Sequence, residues 1–271
     1  MSIYWNDPSH PNYERWRRGR EIAHHRALFV KQIIEKVHPV TSATVLDIGS
    51  GIGGTIRLFS EENNCISLEI DLEKLKNQPR HNKLMDICAD ATNLPFRENS
   101  FDIIILQDVI EHIGNAEHLL ASVLKLLKED GILYMSTPNR FSLVNLMADP
   151  HWGIPFVALL SREHISRFVL PLFRKSERSR KDFAALYSLN QLIRILSVRA
   201  EFRLWTKFAT IELFKGNLGI IWSDFHLKLV ELIKKLQLHR LYLRWTTDVP
   251  GVINRLFTPT FYFTIKKKQI I

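Results

Sequence analysis

Apolar side chains recur three or four residues apart between positions 20 and 37, at Ala23, Ala27, Val30, Ile33, Ile34 and Val37, which predicts a helix that Pro39 ends. The pattern then changes. Val45-Leu46-Asp47-Ile48-Gly49 is a short apolar run closing on an aspartate and glycines, as expected of a buried parallel strand entering a tight turn. Similar runs predict strands at 65–70, 85–89, 103–107 and 131–136. Between the last two, Leu119, Leu120, Val123, Leu124 and Leu127 stripe one face of a helix over 116–128. Such alternation predicts an α/β fold, a mostly parallel sheet with helices on both faces.

After residue 138 the regularity is lost. Residues 139–187 are irregular, aromatic and basic, and are punctuated by Pro150, Pro155 and Pro171. A helix is expected at 189–199, a strand at 202–210, a second insertion over 212–256, and a last strand at 259–267 rich in aromatic and β-branched residues. The chain thus divides into an N-terminal helical cap (1–39), a core (40–138), a first insertion (139–187), continued core (188–211), a second insertion (212–256), and a final strand with its tail (257–271).

With 271 residues, 46% hydrophobic and 24% charged, the chain suits one large domain with insertions. Cys65 and Cys88 form no C-x-x-C pair and signal neither zinc nor a redox motif. The first twenty residues lack a signal-peptide layout, and no run approaches the roughly 20 apolar residues that span a bilayer. A cytoplasmic protein, at most peripheral to a membrane, is expected. The net charge of +9 is clustered. Arg162, Arg167, Arg174, Lys175, Arg178, Arg180 and Lys181 stand against Glu163 and Glu177, and a second group runs through Lys228, Lys234, Lys235, Arg240 and Arg244. Solvated helix faces account for such runs; a sharper reading is an anionic partner, such as a phosphate-bearing acceptor, an anionic membrane surface, or RNA.

Candidate chemistry begins at Asp47-Ile48-Gly49-Ser50-Gly51-Ile52-Gly53-Gly54. Glycines after a strand let the chain turn and bring backbone N–H groups close to a ligand. Spacing alone fits both G-x-G-x-x-G and G-x-G-x-G, so the loop does not separate a nicotinamide enzyme from other nucleotide folds. The acidic residues at the next two strand ends are more specific. Glu69, about twenty residues on, ends the second strand and can accept hydrogen bonds from a ribose diol, with Asp71 as the alternative. Asp90-Ala91 end the third, where a carboxylate can accept from an adenine amino group.

Together LDIGSGIGG, LEID, DATNLPF, NSFDIIILQDVIEH and LLKEDGILYMSTPNR resemble successive motifs of class I S-adenosylmethionine-dependent methyltransferases, most closely the bacterial group of quinone, glycan and other small-molecule O-methyltransferases. The resemblance is strong over about residues 40 to 140 and weak over 188–210, where Ala200-Glu201 stand in place of a frequent Gly-Phe. It implies a Rossmann-like seven-stranded sheet of order 3-2-1-4-5-7-6 with an antiparallel last strand; the helical insertions read from the chain itself would cap its active site. It also implies S-adenosylmethionine as cofactor: Asp47, Gly49, Gly51 and Gly53 at the methionine moiety, Glu69 at the ribose, Asp90 and Ala91 at the adenine, and Gln107 beside the sulfonium.

On the acceptor side Asp108, Glu111 and His112 stand at i, i+3 and i+4, and share one face if a helix begins at Asp108. His112 has the pKa range of a general base, and the two acids can orient it. The set also suits a divalent metal, though none is assigned. His151, Trp152 and His164 are further acceptor-side candidates. Both insertions leave strands at the ligand edge of the sheet, so they should roof the site together with Tyr4, Trp5, Tyr13 and Trp16. A roof mixing Phe141, Trp152, Phe156, Leu159, Trp222, Phe225 and Trp245 with basic residues suits an amphipathic or lipid-linked anionic acceptor; a second small hydrophobic core is the plainer alternative. The sequence Gln107-Asp108-Val109-Ile110, in place of an N-P-P-Y-like signature, favours an oxygen or carboxylate acceptor, and the resemblance implies a glycan or quinone-like one. An NAD(P)-dependent oxidoreductase would want a second nucleotide-binding half and a catalytic Tyr-Lys or His-Asp pair, which the sequence lacks. A non-catalytic cofactor-fold or RNA-associated protein is the other alternative, although no RNA-binding module is recognisable.

Overall fold

The computed structural model describes residues 6–10, 12–175, 184–220 and 224–268. Seven strands form one sheet: β1 (Thr44–Ile48), β2 (Asn64–Glu69), β3 (Leu84–Cys88), β4 (Phe101–Gln107), β5 (Leu127–Pro138), β6 (Ala200–Leu204) and β7 (Thr260–Lys267). Their order is β3-β2-β1-β4-β5-β7-β6, as the resemblance implied. The first five pair in parallel, and β7 runs antiparallel to both β5 and β6. Val45, Leu46, Ile48 and Ile103 through Leu106 are completely buried, which is why β1 and β4 are nearly uninterrupted apolar runs: both faces of a parallel sheet are covered.

One face is covered by α2 (Ala23–Glu35), whose Phe29, Val30, Ile33 and Ile34 pack on Val45, Ile103, Ile105, Ile132 and Tyr134. Phe59 of α3 (Ile56–Ser60) joins this layer. The other face is covered by α5 (Ala116–Leu126) and α9 (Leu189–Arg199), with Leu119, Leu120, Val123, Leu192 and Leu196 against Leu46, Ile104, Leu106, Leu133 and Phe263. A short α4 (Leu72–Lys76) follows β2.

The structure departs from the predicted elements in three places. The expected single helix over 20–37 is two, α1 (Tyr13–Glu21) and α2, joined at buried Ile22, and α2 is a core layer of the sheet rather than a cap. The strand expected at 202–210 ends at Leu204. There buried Trp205 turns the chain, its indole N–H donating to Thr264 Oγ1 at 2.9 Å, and α10 (Thr206–Lys215) begins. Ala209, Thr210 and Phe214 bury at helical spacing, and Gly216 at φ 90° closes the helix in the left-handed conformation. Residues 139–187, expected as irregular, hold α6 (Leu143–Met147), α7 (Arg162–His164), a π-helical turn (Ile165–Val169) and α8 (Leu170–Phe173), built around a small core of Trp152, Val157, Ile165, Val169 and Leu170.

The second insertion carries α11 (Asp224–Lys235), α12 (Leu238–Trp245) and α13 (Val252–Leu256). Ahead of them, Gly219 lies against the His25 carbonyl, where a Cβ would collide with the oxygen, and Ile220 joins the α2 face of the core. Among the described residues no helix is long and apolar enough to cross a membrane.

Candidate functional site

The glycine loop leaves β1 with Gly49, Gly51 and Gly53 at φ 71°, 58° and 78°, a region costly for residues with a Cβ. The three differ in what surrounds them. A Cβ on Gly49 would lie 2.5 Å from the Val109 side chain, and one on Gly53 3.0 Å from Gln78 Oε1. A Cβ on Gly51 would meet nothing within 4 Å, so the backbone there fronts open space. Gly54 serves packing: its Cβ would stand 2.9 Å from that of Ala23.

The loop is held from behind. The Gln78 amide donates to Gly51 O (2.7 Å) and Ser50 Oγ (2.9 Å) and accepts from Ser67 Oγ (2.8 Å). Glu69, buried at the end of β2, accepts from the N–H of Gly51 (2.9 Å) and of Asp71 (3.0 Å). The Asp71 carboxylate instead caps α4, accepting from Glu73 and Lys74, so of the two acids Glu69 is the one on the glycine loop. Asp47, buried next to last in β1, has its carboxyl pushed up to about 8, first by burial and then by the negative charge of Glu69. Two buried acids beside an open glycine backbone suit a ligand carrying hydroxyls and a positive charge. Asp90 is exposed after β3 and accepts from Thr92 N–H at 2.8 Å, while Ala91 packs on the core. Gln107 ends β4 and accepts from Thr55 Oγ1 at 2.7 Å, tying that strand end to the loop.

On the acceptor side the expected helix face is not formed. Asp108 is left-handed at φ 56°, and only a single 3₁₀ turn, Ile110–His112, follows. The Asp108 carboxylate accepts from Arg26 (2.6 Å) and Ser136 Oγ (2.8 Å), away from its two expected companions. Glu111 is completely buried: Oε2 accepts from Thr137 Oγ1 at 2.9 Å, while Oε1 accepts no hydrogen bond and stands 3.8 Å from His151 Nε2. Burial pushes its carboxyl up to about 7; the charge of Asp108 adds to this, and His112 and Thr137 oppose it. The His112 and His151 rings meet edge to face with centroids 5.0 Å apart. One ligand atom from each of Glu111, His112 and His151 lies within 4.8 Å of the others, so His151 takes the place expected of Asp108.

His151 arrives from the first insertion. The signal available in the sequence is Asp149-Pro150, a turn-forming pair. Buried Asp149 accepts the backbone N–H of both His151 and Trp152 at 2.8 Å, and Trp152 is locked in the small core, which removes it as an acceptor contact. Arg162 donates to the carbonyls of Glu111 and Ile113, each at 2.7 Å, and Ala185 N–H to Glu111 O at 2.9 Å. Two cations expected to face an anionic partner therefore serve structure: Arg162 clamps the 3₁₀ turn, and Arg174 donates to Trp152 O. His164 is exposed, bonded to Ser161 and stacked on Phe168. Tyr4, Trp5, Glu177, Arg178, Arg180, Lys181, Trp222 and the Phe225 side chain lie outside the described residues.

Residues 46–135 match the family model described as "Methyltransferase domain". An uncharacterised protein of Methanocaldococcus jannaschii is 32% identical over 115 residues, covering 42% of this chain and 49% of its own. The malonyl-[acyl-carrier protein] O-methyltransferase of a Marinomonas species is 26% identical over 167 residues, covering 58% and 60%. The chain thus spans about half the length of the first of these relatives and under two thirds of the second. A solved structure from Thermotoga maritima, described as a "SAM-dependent methyltransferase, possible histamine N-methyltransferase", superposes with a TM-score of 0.54 at 16% identity over 95% of this chain and 97% of that one. The residues that match the methyltransferase-domain model include β1, the glycine loop, Glu69, Gln107 and the Glu111 turn.

Proposed function

We propose that this chain transfers a methyl group from S-adenosylmethionine to an oxygen of a small acceptor that is anionic or amphipathic. The observation that carries the reading is the loop at Gly51, left-handed and open to space, with Glu69 on its backbone and Asp47 behind it. Asp47 and the glycine backbone hold the methionine end, Glu69 the ribose, Asp90 and Ala91 the adenine. Gln107 stands where the glycine loop meets the end of β4.

Bound there, the cofactor supplies a methyl made electrophilic by its sulfonium. The chain aligns the acceptor oxygen in line with it and disposes of the hydroxyl proton. Transfer would leave the cofactor's sulfur as a neutral thioether, and the hydroxyl proton would pass to water at the Glu111, His112 and His151 centre. The centre of Glu111, His112 and His151, one turn beyond Gln107, is where the acceptor oxygen is received. Exposed Phe156, Phe168, Leu172 and Phe173 beside exposed Arg167 and Lys175 on the first insertion support an acceptor with an apolar body and a negative group.

Calorimetric titration of the purified chain tests the cofactor. Micromolar binding of S-adenosylmethionine and S-adenosylhomocysteine is expected, with none of NAD, and its loss in Gly51→Val. Unchanged affinity in that variant would sink the placement.

A further inference from the structure

We propose that Glu111, His112 and His151 form a binding site for one divalent first-row transition-metal ion. Only the ion's role, not its binding, rests on the proposed methyl transfer. Three independent features converge on the site. Geometry comes first: one carboxylate oxygen and two imidazole nitrogens lie within 4.8 Å of one another, and His151 Nε2 is already 3.8 Å from Glu111 Oε1. Donors on one such ion, at bond lengths of about 2.0–2.2 Å, stand roughly 3–3.5 Å apart, so small side-chain rotations close the set.

The second feature is an unmet need. Glu111 is completely buried, and its Oε1 accepts no hydrogen bond although it is aimed at His151. Leaving a carboxylate oxygen buried and unsatisfied is costly, and a cation removes the cost. Among the described residues no arginine or lysine supplies it: Arg26 pairs with Asp108, and Arg162 donates to backbone carbonyls.

The third is preorganisation. Each ligand sits on backbone fixed from outside the cluster. The Glu111 turn is clamped by Arg162 and Ala185, and His151 is held by Asp149 and by the burial of Trp152 next to it. Both imidazoles are partly exposed. Two imidazoles and one carboxylate select zinc, cobalt, iron, manganese or nickel over calcium and magnesium, which favour all-oxygen sets. An acceptor hydroxyl that joined these three ligands on the ion would lose its proton to water at neutral pH and attack as the oxyanion.

The test uses the full chain, stripped with a chelator and titrated with cobalt(II), read by visible absorption and by calorimetry, with S-adenosylmethionine titrated in parallel. One equivalent of cobalt is expected, with a spectrum of nitrogen–oxygen coordination and displacement by zinc. Glu111→Gln and His151→Gln should each weaken binding about 100-fold or more, leaving cofactor affinity unchanged; outer-shell changes alone commonly cost 10–100-fold. His112→Gln provides a third arm should either fail to fold. Absence of cobalt binding, or binding unchanged in every folded variant, would overturn the site. Cobalt binding without affinity for S-adenosylmethionine would leave the metal site standing and remove the methyltransferase reading.

Discussion

Asp47 shows how one buried side chain turns geometry into a measurable pH dependence. Its carboxyl is raised to about 8 by burial and by Glu69, so the free protein carries it protonated at neutral pH. A bound methionine moiety brings positive charge and favours the carboxylate. Binding should therefore release close to one proton below pH 8, and affinity should rise with pH up to about 8 and then level. Calorimetry at pH 7 in buffers of different ionisation enthalpy counts that proton; Asp47→Asn should release none. The same shift acts on the fold. A raised folded-state pKa gives stability that is full below about pH 4 and is lost as pH climbs through 8, so Asp47→Asn should flatten that fall. Losing a charged hydrogen bond costs about 1.5–3 kcal/mol, or one to two decades in affinity, so Glu69→Ala should weaken cofactor binding by that amount. Asp47 and Glu69 are legible in the sequence because each sits at a strand end a fixed distance from the glycines. His151 stands out there only as a weaker acceptor-side residue, because it lies forty residues beyond Glu111 and the two are joined by tertiary packing alone.

Elements with uninterrupted patterns are the legible ones: β1, β4, α5 and α9 lie where their runs and stripes predict them. The departures share one cause, side chains whose local preference is overridden by packing. Apolar residues on both sides of Trp205 resemble one strand, yet burial of its ring turns Phe202 and Phe208 into different elements. The aromatic and basic residues at 139–175 show no period because several short turns wrap around Trp152. Trp152→Ala should cost about 3–5 kcal/mol if the unit melts with the rest. Because this core is separate from the two that flank the sheet, we expect selective protease cleavage within 139–175 while S-adenosylmethionine affinity stays within a factor of two. Cleavage no faster than in the parent chain would contradict an independent core. Leu120→Ala, in the α5 face of the main core, should instead lower global stability by about 2–5 kcal/mol, seen as a reduced midpoint in urea.

Across the whole molecule, the parallel sheet edge gathers the glycine loop, the end of β4 and the first insertion, whereas the second insertion packs its leading turn on α2. The basic excess is visible in composition, but its division is not: Arg162 and Arg174 bind backbone carbonyls, leaving Arg167 and Lys175 exposed beside Phe168, Leu172 and Phe173. Acceptor recognition should therefore fall with the double change Arg167→Glu and Lys175→Glu, read as a raised KM for the acceptor at constant cofactor affinity. Flotation with anionic vesicles, set against a tRNA gel shift, separates a lipid-like partner from a nucleic acid. The proposed cradling of S-adenosylmethionine by Gly51 and Glu69 is tested most directly by a crystal structure of the chain with S-adenosylhomocysteine. The ribose diol is expected within hydrogen-bond distance of Glu69, the methionine end against Gly51, and the sulfur facing the Gln107–His112 edge. A ligand bound elsewhere, or one leaving Glu69 on the Gly51 amide without touching the ribose, would contradict that placement.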